Sequence, residues 1–395
     1  PYVLEKLSNS KDFSSRKEVA LNPNTPQDAL SKLSNDSSDD IREEVASNLN
    51  TSQETLSKLS RSNSQWIKKR VALNPNTPKE TLQELSQDES EWVRGKVAEN
   101  KSTPSDILQE LSKDKERRVR EMVASNPNTS LKTLKELSQD ESNQVREKVA
   151  KNPNTPENVL QALSNDKSEK VKMYVAKNPN TSQVTLEKLS QDEDEKVRIE
   201  VLESPNISSN LLEKIKGAKY ESEDMNWHLS KNPNTPGNIL EDLSKDQTRL
   251  IRMYVARNPN TPQNVLEELS SDEFIGLRKG VAENNNTSPK LLEKLSRDNS
   301  GAVREKVAKN PNTSASTLAE LSNDKSKTIR EKVAKNSNTP QDALHKLSKD
   351  VLDEIRTFVA KNPNTSLETL KELAKDNAFD IKMIALKRIK DYEQV

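Results

Sequence analysis

Cysteine is absent from the 395-residue sequence, and histidine and glycine are scarce, with 2 and 6 residues respectively. The absence of cysteine excludes disulfides, thiolate nucleophiles and cysteine-ligated metal or iron–sulfur sites. The two histidines, His228 and His345, lie far apart in sequence, and the glycines form no phosphate-cradling loop. Carboxylates are spread along the chain rather than gathered in a catalytic pair. We therefore expect a protein that is not an enzyme and holds no cofactor and no metal.

Apolar residues are also few, because hydrophobic residues make up 30% of the chain, aromatic residues 3% and charged residues 32%. Such a composition borders on that of disordered proteins. However, 63 basic residues balance 63 acidic ones, and the apolar residues recur at fixed spacing, which favours a folded repeat protein. No apolar run approaches the roughly 18 to 20 residues of a membrane span, and no signal segment precedes the repeats. The sequence predicts a soluble, cytoplasmic protein with no membrane partner.

A 26-residue repeat runs through the chain and is marked by a Val-Ala pair, as in VAKNPNTSLETLKELAKD from Val359. We call the alanine of this pair, or its equivalent, the index residue. Every interval between index residues is 26 residues except one of 28, between Leu202 and Ser230. The index residues are Ala20, Ala46, Ala72, Ala98, Ala124, Ala150, Ala176, Leu202, Ser230, Ala256, Ala282, Ala308, Ala334, Ala360 and Leu386. This period predicts an all-α solenoid of about fifteen two-helix repeats.

Each repeat is predicted to contain two short helices, A and B. In the second repeat, Thr25 is expected to cap helix A, in which Leu30 and Leu33 share one face. Helix B is expected over about 38–47, with the Val-Ala pair on its buried stripe. The asparagine after that pair, such as Asn48, suits a left-handed residue that closes helix B. One repeat buries too little apolar surface to fold alone, so stability must come from stacking on neighbours.

The pattern VAxNPNTPxxxLxxLSxDxxxxVRxx resembles the leucine-rich repeat variant family, and its DxxxxxR segment also resembles HEAT repeats. The match covers nearly the whole chain. The resemblance implies that short α-helices and 3₁₀-helices alternate as helices A and B in a right-handed superhelix, and that the protein is a binding scaffold. The cysteine-ligated iron–sulfur module of the family has no counterpart here. We predict one solenoid over 1–395, with regular repeats in 1–202, an irregular repeat with a two-residue insertion in 203–230, and regular repeats with a C-terminal cap in 231–395.

A column of basic residues lies four positions before the index residue, and in most repeats an aspartate lies six positions before the basic residue. This column could bind phosphates, or it could form an Asp/Arg ladder that ties one repeat to the next. Helical geometry favours the ladder, because the arginine falls within the inward sector of helix B. The aspartate position holds Ser62 opposite Lys68 and Tyr220 opposite Asn226, which indicates that acid and base are lost together there, and Ser10 opposite Arg16 is the exception. The predicted ladder includes Asp140, Arg146, Asp192, Arg198, Asp298, Arg304, Asp324 and Arg330.

The positions three and two before the index residue are predicted to face outward and are mostly Glu or Lys, but four successive central repeats carry apolar, aromatic or histidine side chains there. Such residues are typical of a binding hot spot. Alternatively, the aromatics repair a poorly packed irregular repeat, with Trp227 turned inward. Trp66 and Trp92, six before the index residue, form a second candidate surface, for which packing in the core or as a hydrophobic staple is favoured. The predicted hot spot comprises Met173, Tyr174, Ile199, Trp227, His228, Leu250, Met253 and Tyr254.

We therefore predict a scaffold that binds a protein partner on the outward face of helix B. The alternative is a HEAT-like nucleic-acid binder that uses rows of Lys and Arg. The outward positions of helix B hold nineteen basic and fifteen acidic residues over fifteen repeats, which is not the clear basic stripe of most nucleic-acid binders. The sequence does not identify the partner.

Overall fold

The computed structural model describes residues 2–217 and 222–393, and every regular element in those residues is an α-helix. The chain divides into two compact units, Pro1–Ile207 and Ser208–Val395, which are described separately below as unit 1 and unit 2. The boundary lies inside the irregular repeat predicted at 203–230. Tyr220, with the rest of 218–221, lies outside the described residues.

Odd-numbered helices are helices A of the repeats, and even-numbered helices are helices B. The helices of unit 1 are α1 (Tyr2–Leu7), α2 (Phe13–Leu21), α3 (Gln27–Leu33), α4 (Asp39–Ser47), α5 (Gln53–Leu59), α6 (Gln65–Leu73), α7 (Lys79–Leu85), α8 (Glu91–Glu99), α9 (Ser105–Leu111), α10 (Arg117–Ser125), α11 (Leu131–Leu137), α12 (Asn143–Lys151), α13 (Glu157–Leu163), α14 (Glu169–Lys177), α15 (Gln183–Leu189) and α16 (Glu195–Leu202). The helices of unit 2 are α17 (Ser209–Lys216), α18 (Glu223–Lys231), α19 (Gly237–Leu243), α20 (Arg249–Arg257), α21 (Gln263–Leu269), α22 (Ile275–Glu283), α23 (Pro289–Leu295), α24 (Gly301–Lys309), α25 (Ala315–Leu321), α26 (Lys327–Lys335), α27 (Gln341–Leu347), α28 (Asp353–Lys361), α29 (Leu367–Leu373) and α30 (Phe379–Glu393).

Helices of type B form the closely packed layer of each unit. In unit 1, each helix B from α2 to α16 packs on the next helix B, and the same holds in unit 2 from α18 to α30. The buried stripe of α4 consists of Ile41, Val45 and Ala46, and Leu30 and Leu33 are the buried leucines of α3, which packs against α4. The remaining positions of helix B are left facing solvent or the neighbouring helix B. Consecutive repeats therefore present these positions side by side.

The expected alternation of α- and 3₁₀-helices is wrong for the described residues, because both helices of each repeat are α-helices. Helix A is only six to eight residues long, yet it keeps the α-helical hydrogen bonds: the Ser34 N–H donates to the Leu30 carbonyl at 2.9 Å. No helix in residues 2–217 or 222–393 is long and apolar enough to cross a membrane.

The predicted cap of helix A at Thr25 is also wrong. Thr25 is buried, and its Oγ1 donates to the Val19 carbonyl at 2.6 Å, which ties the start of the turn to the end of helix B. Pro26 takes the capping position in α3 without a side-chain hydrogen bond. Where serine replaces proline, as at Ser52, its hydroxyl accepts from the Thr55 N–H and caps the helix.

The asparagine after the Val-Ala pair is not left-handed, since no residue in 2–217 or 222–393 has a positive φ. Asn48 has an extended backbone, with φ −70° and ψ 129°. Its Nδ2 donates to the carbonyls of Ala20 and Asn22 in the preceding repeat at 2.8 and 2.9 Å, and its Oδ1 accepts from the Asn50 N–H at 2.9 Å. We call this arrangement the asparagine ladder. It recurs in unit 1 at Asn74, Asn100, Asn126, Asn152 and Asn178, and in unit 2 at Asn258, Asn284, Asn310, Asn336 and Asn362.

Candidate functional site

The basic residues of the column on helix B form ion pairs with aspartates of the following repeat. Arg146 donates from Nε and Nη2 to the two carboxylate oxygens of Asp166 at 2.6 and 2.9 Å, and from Nη1 to the Asp140 carbonyl at 2.7 Å. The side chains of Arg146 and Asp166 are 17% and 7% exposed. Corresponding pairs are Arg16–Asp36, Lys68–Asp88, Arg94–Asp114, Arg120–Asp140 and Lys172–Asp192 in unit 1, and Arg278–Asp298, Arg304–Asp324, Arg330–Asp350 and Arg356–Asp376 in unit 2.

In these pairs the side-chain partner of the basic residue is thus the aspartate twenty residues ahead, whereas Asp140, six residues behind Arg146, accepts through its main-chain carbonyl. The predicted shared loss of acid and base is therefore misassigned. Lys68 keeps its partner, because Lys68 Nζ lies 2.7 Å from Asp88. Ser62 is instead the position ahead of Arg42, and Arg42 pairs with Asp39 of its own helix.

Besides Arg42, the positions Arg198, Asn226 and Arg252 of the column depart from this geometry. Arg252 donates to the main-chain carbonyls of Asp246 and Gln247 at 2.7 and 3.2 Å. Asn226 replaces the basic residue, and its Nδ2 still donates to Asp246, twenty residues ahead, at 3.3 Å. Arg198 donates from Nη1 to the carbonyls of Asp192 and Glu193 at 2.7 and 2.9 Å. The residue twenty positions ahead of Arg198 lies outside the described residues.

The ion pairs lower the pKa of two ladder carboxyls, Asp36 and Asp166. The hydrogen bond from Arg16 is the main cause that holds the pKa of Asp36 below its ordinary value, against the effect of burial. At Asp166 burial has the largest single effect and raises the pKa, but hydrogen bonds from Arg146 and the Ser168 N–H together outweigh it, so the pKa is lowered. These carboxyls are therefore ionised at neutral pH.

In unit 2, aromatic side chains of α18 and α20 form a cluster at the predicted hot spot. Trp227 lies edge-to-face with His228 and Tyr254, with ring centres 4.6 and 5.8 Å apart. Lys231 Nζ lies 3.8 Å from the Trp227 ring centre and 5.6 Å from that of Tyr254. The three rings are half-buried, and Met225, not Trp227, fills the core position of α18. We call Trp227, His228 and Tyr254 the aromatic cluster.

Two further predicted residues lie on α20 beside Tyr254. Leu250 is 44% exposed, and Met253 is half-buried. The next repeat adds two exposed apolar side chains that the sequence analysis missed, Phe274 and Ile275 at the start of α22. Their signal was visible in the sequence as DEFIGL, where other repeats carry polar residues before helix B.

In unit 1, the predicted residues Met173, Tyr174 and Ile199 are half-buried on α14 and α16. Lys151 of the preceding repeat lies with Nζ 3.8 Å from the Tyr174 ring centre. Lys177 forms a corresponding contact with the next repeat, as its Nζ lies 2.7 Å from Glu200. The position after the index residue thus contacts the position two before the next index residue.

The same contact recurs in unit 2 at a residue that the sequence analysis missed. Lys335 Nζ lies 3.7 Å from the ring centre of Phe358, which occupies the position of Tyr254 in a later repeat. Glu283 and Lys306 occupy the same two positions and form an ion pair, with Lys306 Nζ 2.5 Å from Glu283 Oε1. Aromatic rings at this position are thus held by a lysine of the preceding repeat.

Trp66 and Trp92 are not packed in the core, contrary to the favoured interpretation, since they are 57% and 42% exposed. Lys69 Nζ lies 3.8 Å from the Trp66 ring centre and 6.0 Å from that of Trp92. Arg118 Cζ lies 4.1 Å from the Trp92 ring centre. We call Trp66, Lys69, Trp92 and Arg118 the tryptophan strip. It crosses α6, α8 and α10 of unit 1.

Comparison with known proteins gave one family match and several structural matches. The family model described as leucine rich repeat variant matches residues 117–142. A search of curated proteins found no match. The structural matches include a leucine-rich repeat variant with a novel repetitive structural motif, at 20% identity over 70% of this chain and 88% of that one, with a TM-score of 0.30.

Two other structural matches cover almost all of this chain. One is from a structure described as Kap95p binding to RanGDP, with 12% identity over 98% of this chain and 59% of that one and a TM-score of 0.37. The other is an engineered protein, with 15% identity over 100% of this chain and 98% of that one and a TM-score of 0.20. From its repeated motif and the family match within that repeat, the chain is an all-helical repeat protein that resembles the leucine-rich repeat variant family.

Proposed function

We propose that this protein is a non-catalytic scaffold that binds a protein partner on the outward face of helix B. The observation that carries the proposal is the aromatic cluster of unit 2, in which Trp227 and Tyr254 remain half-exposed although a core position is filled by Met225. Aromatic side chains that are ordered by their neighbours and still accessible are what binding hot spots use. Leu250 and Met253 extend the same surface with apolar area.

Met173, Tyr174 and Ile199 carry the same proposal on unit 1. Tyr174 is ordered by Lys151, so its ring is presented in a fixed position at the surface of α14. Side chains that are already ordered lose less conformational entropy when a partner binds. Each of the two surfaces is therefore a place where a partner could gain affinity from few contacts.

The test compares Trp227→Ala and Tyr254→Ala with the matched control Phe358→Ala, all in the full chain. Phe358 packs under Lys335 much as Tyr254 packs near Lys231, so the control removes a similar ring from a repeat outside the cluster. We expect proteins captured by the wild type, after nuclease treatment, to be lost from both cluster variants and kept by the control, at similar melting temperatures. Capture retained by all three variants, or lost equally from the control, contradicts the proposal.

The basic column supports this function over nucleic-acid binding, because its charges are used inside the protein. Three of the N–H groups of Arg146 are directed at Asp166 and Asp140 rather than at solvent. We propose that the column is a structural ladder. Removing one partner of a mostly buried ion pair costs about 3 kcal/mol, so Arg146→Ala should lower the melting temperature and leave retention on heparin unchanged. Unchanged stability with weaker heparin retention would assign the column to phosphate binding.

A further inference from the structure

The tryptophan strip holds two cations that stack on indole rings and form no ion pair in the described part of unit 1. In residues 2–217, α6, α8 and α10 carry eight Lys or Arg residues, and only Lys69 and Arg118 form no ion pair with a carboxylate. Both of these cations stack on tryptophan rings instead. The six paired cations are Lys68, Arg70, Arg94, Lys96, Arg117 and Arg120.

A guanidinium stacked on a ring keeps the N–H groups along its edge free to donate. Arg118 lies over Trp92 in this way, so a carboxylate could accept two parallel hydrogen bonds from it. Lys69, between the two indoles, offers a second positive charge on the same strip. The charge of the strip therefore complements an acidic ligand.

Apolar contact area lies beside these charges. Trp66 and Trp92 are both exposed, and Gly95, one turn after Trp92 on α8, leaves open space where the other repeats carry a side chain, since an added Cβ would meet no atom within 4 Å. The exposed faces of the two indoles are therefore available for apolar contact with a ligand. Tryptophan and arginine are also the residues most often found at protein-binding hot spots.

Within α6, α8 and α10, the two cations without an ion pair are too few to hold a nucleic acid by themselves. A single strand that neutralised both would gain only the affinity of about two phosphate contacts, with a salt slope of about 0.7 for each. A peptide needs only one or two carboxylates, and it gains the remaining affinity from apolar contact with the indoles. We infer that the tryptophan strip is a binding site for an extended peptide segment in which an acidic side chain adjoins an aromatic or aliphatic one.

The experiment selects binders from a library of displayed random peptides on the full-length chain and measures the Kd of the selected peptides. Trp92→Ala removes an indole, and Arg118→Glu reverses one charge. Both residues are exposed, so the melting temperatures of the two variants should match that of the wild type. Phe358→Ala, which removes a ring beneath a lysine in unit 2, is the control. Single-stranded oligothymidylate is titrated in parallel.

We expect the selected peptides to be enriched in Asp or Glu next to apolar residues. Their Kd should rise at least about tenfold in both strip variants and stay unchanged in Phe358→Ala. A selection without acidic enrichment, or with no enrichment at all, overturns the inference, as does a Kd that neither strip variant changes. Binding of oligothymidylate that both strip variants abolish would show that the strip takes nucleic acid instead.

Discussion

The asparagine ladder offers a direct test of how one repeat holds the next. Asn152 is 2% exposed, its Nδ2 donates to the carbonyls of Ala124 and Asn126 at 2.8 and 3.1 Å, and its Oδ1 accepts from the Asn154 N–H at 2.9 Å. Asn154, two residues later in the same NPNT motif, is exposed and donates to the Pro127 carbonyl at 2.7 Å. The two asparagines thus differ in burial and in the number of side-chain hydrogen bonds.

These contacts set the expected magnitudes. Asn152→Ala removes three hydrogen bonds at about 1 kcal/mol each. It takes the Asn152 donor from the buried Ala124 carbonyl, while the Asn126 carbonyl keeps its bond from the Thr129 N–H at 3.2 Å. The substitution should therefore cost about 3 to 4 kcal/mol. Asn154→Ala removes one exposed hydrogen bond and should cost about 1 kcal/mol or less. The difference of about 2 to 3 kcal/mol corresponds to a roughly 30- to 150-fold difference in a local opening equilibrium.

Hydrogen exchange measured by mass spectrometry is the suitable assay, because it reports local opening where a long repeat array does not unfold in two states. Peptides that cover 124–127 and 148–156 should exchange faster in Asn152→Ala, whereas exchange in Asn154→Ala should stay close to that of the wild type. Equal acceleration in the two variants would refute the reasoning, since it would show that burial and the number of bonds do not determine the contribution of this position.

Two further predictions concern the Asp/Arg ladder and the glycines of helix B. Because the pKa of Asp166 is lowered in the folded chain, its contribution to stability should be complete above the ordinary value of 3.8 and lost as the pH falls through the lowered value. Acid unfolding followed by circular dichroism should show this loss of stability. In Asp166→Asn, which also weakens the bond to Arg146, the loss of stability on acidification should be smaller. Gly280→Ala should destabilise the chain by about 1 to 3 kcal/mol, because the new Cβ would lie 2.9 Å from the Cβ of Ala256. Gly95→Ala should instead stabilise α8 by about 0.5 to 1 kcal/mol, because no atom lies within 4 Å of the new Cβ. Thermal melts of the two glycine variants that shift in the same direction would contradict the packing argument.

The helices could be predicted from the sequence because their signal is local. The spacing of Ile41, Val45 and Ala46 within one helix is enough to place helix B, and the structure begins α4 at Asp39 and ends it at Ser47, within a residue of the predicted 38–47. The role of Asn48 could not be predicted in the same way. Its hydrogen-bond partners lie 26 and 28 residues away, so a rule that considers only the end of one helix favours a left-handed residue instead.

The sequence could not show which aspartate pairs with each arginine of the Asp/Arg ladder, because the sequence repeats. In a 26-residue period, an aspartate six residues before an arginine and one twenty residues after it belong to the same column. The sequence therefore predicts the column without telling which of the two aspartates receives the guanidinium. The binding surfaces were harder still to predict from the sequence. The exposure of Trp66 and Trp92 depends on the distance between neighbouring helices B, and the sequence pattern does not contain that distance.

The short and constant sequence separation of the hydrogen-bonded residues in the two ladders has a consequence for how the chain folds. Within each unit, the ladder hydrogen bonds join residues 20 to 28 positions apart in a chain of 395. Such separations correspond to a relative contact order of about 0.07 or less, the range of fast-folding helical proteins. Closing each new loop costs the same entropy wherever it lies in a unit, so folding can begin at any well-packed pair of repeats and propagate outward. The number of repeats in such a chain can change in evolution without lengthening any of the loops that folding must close.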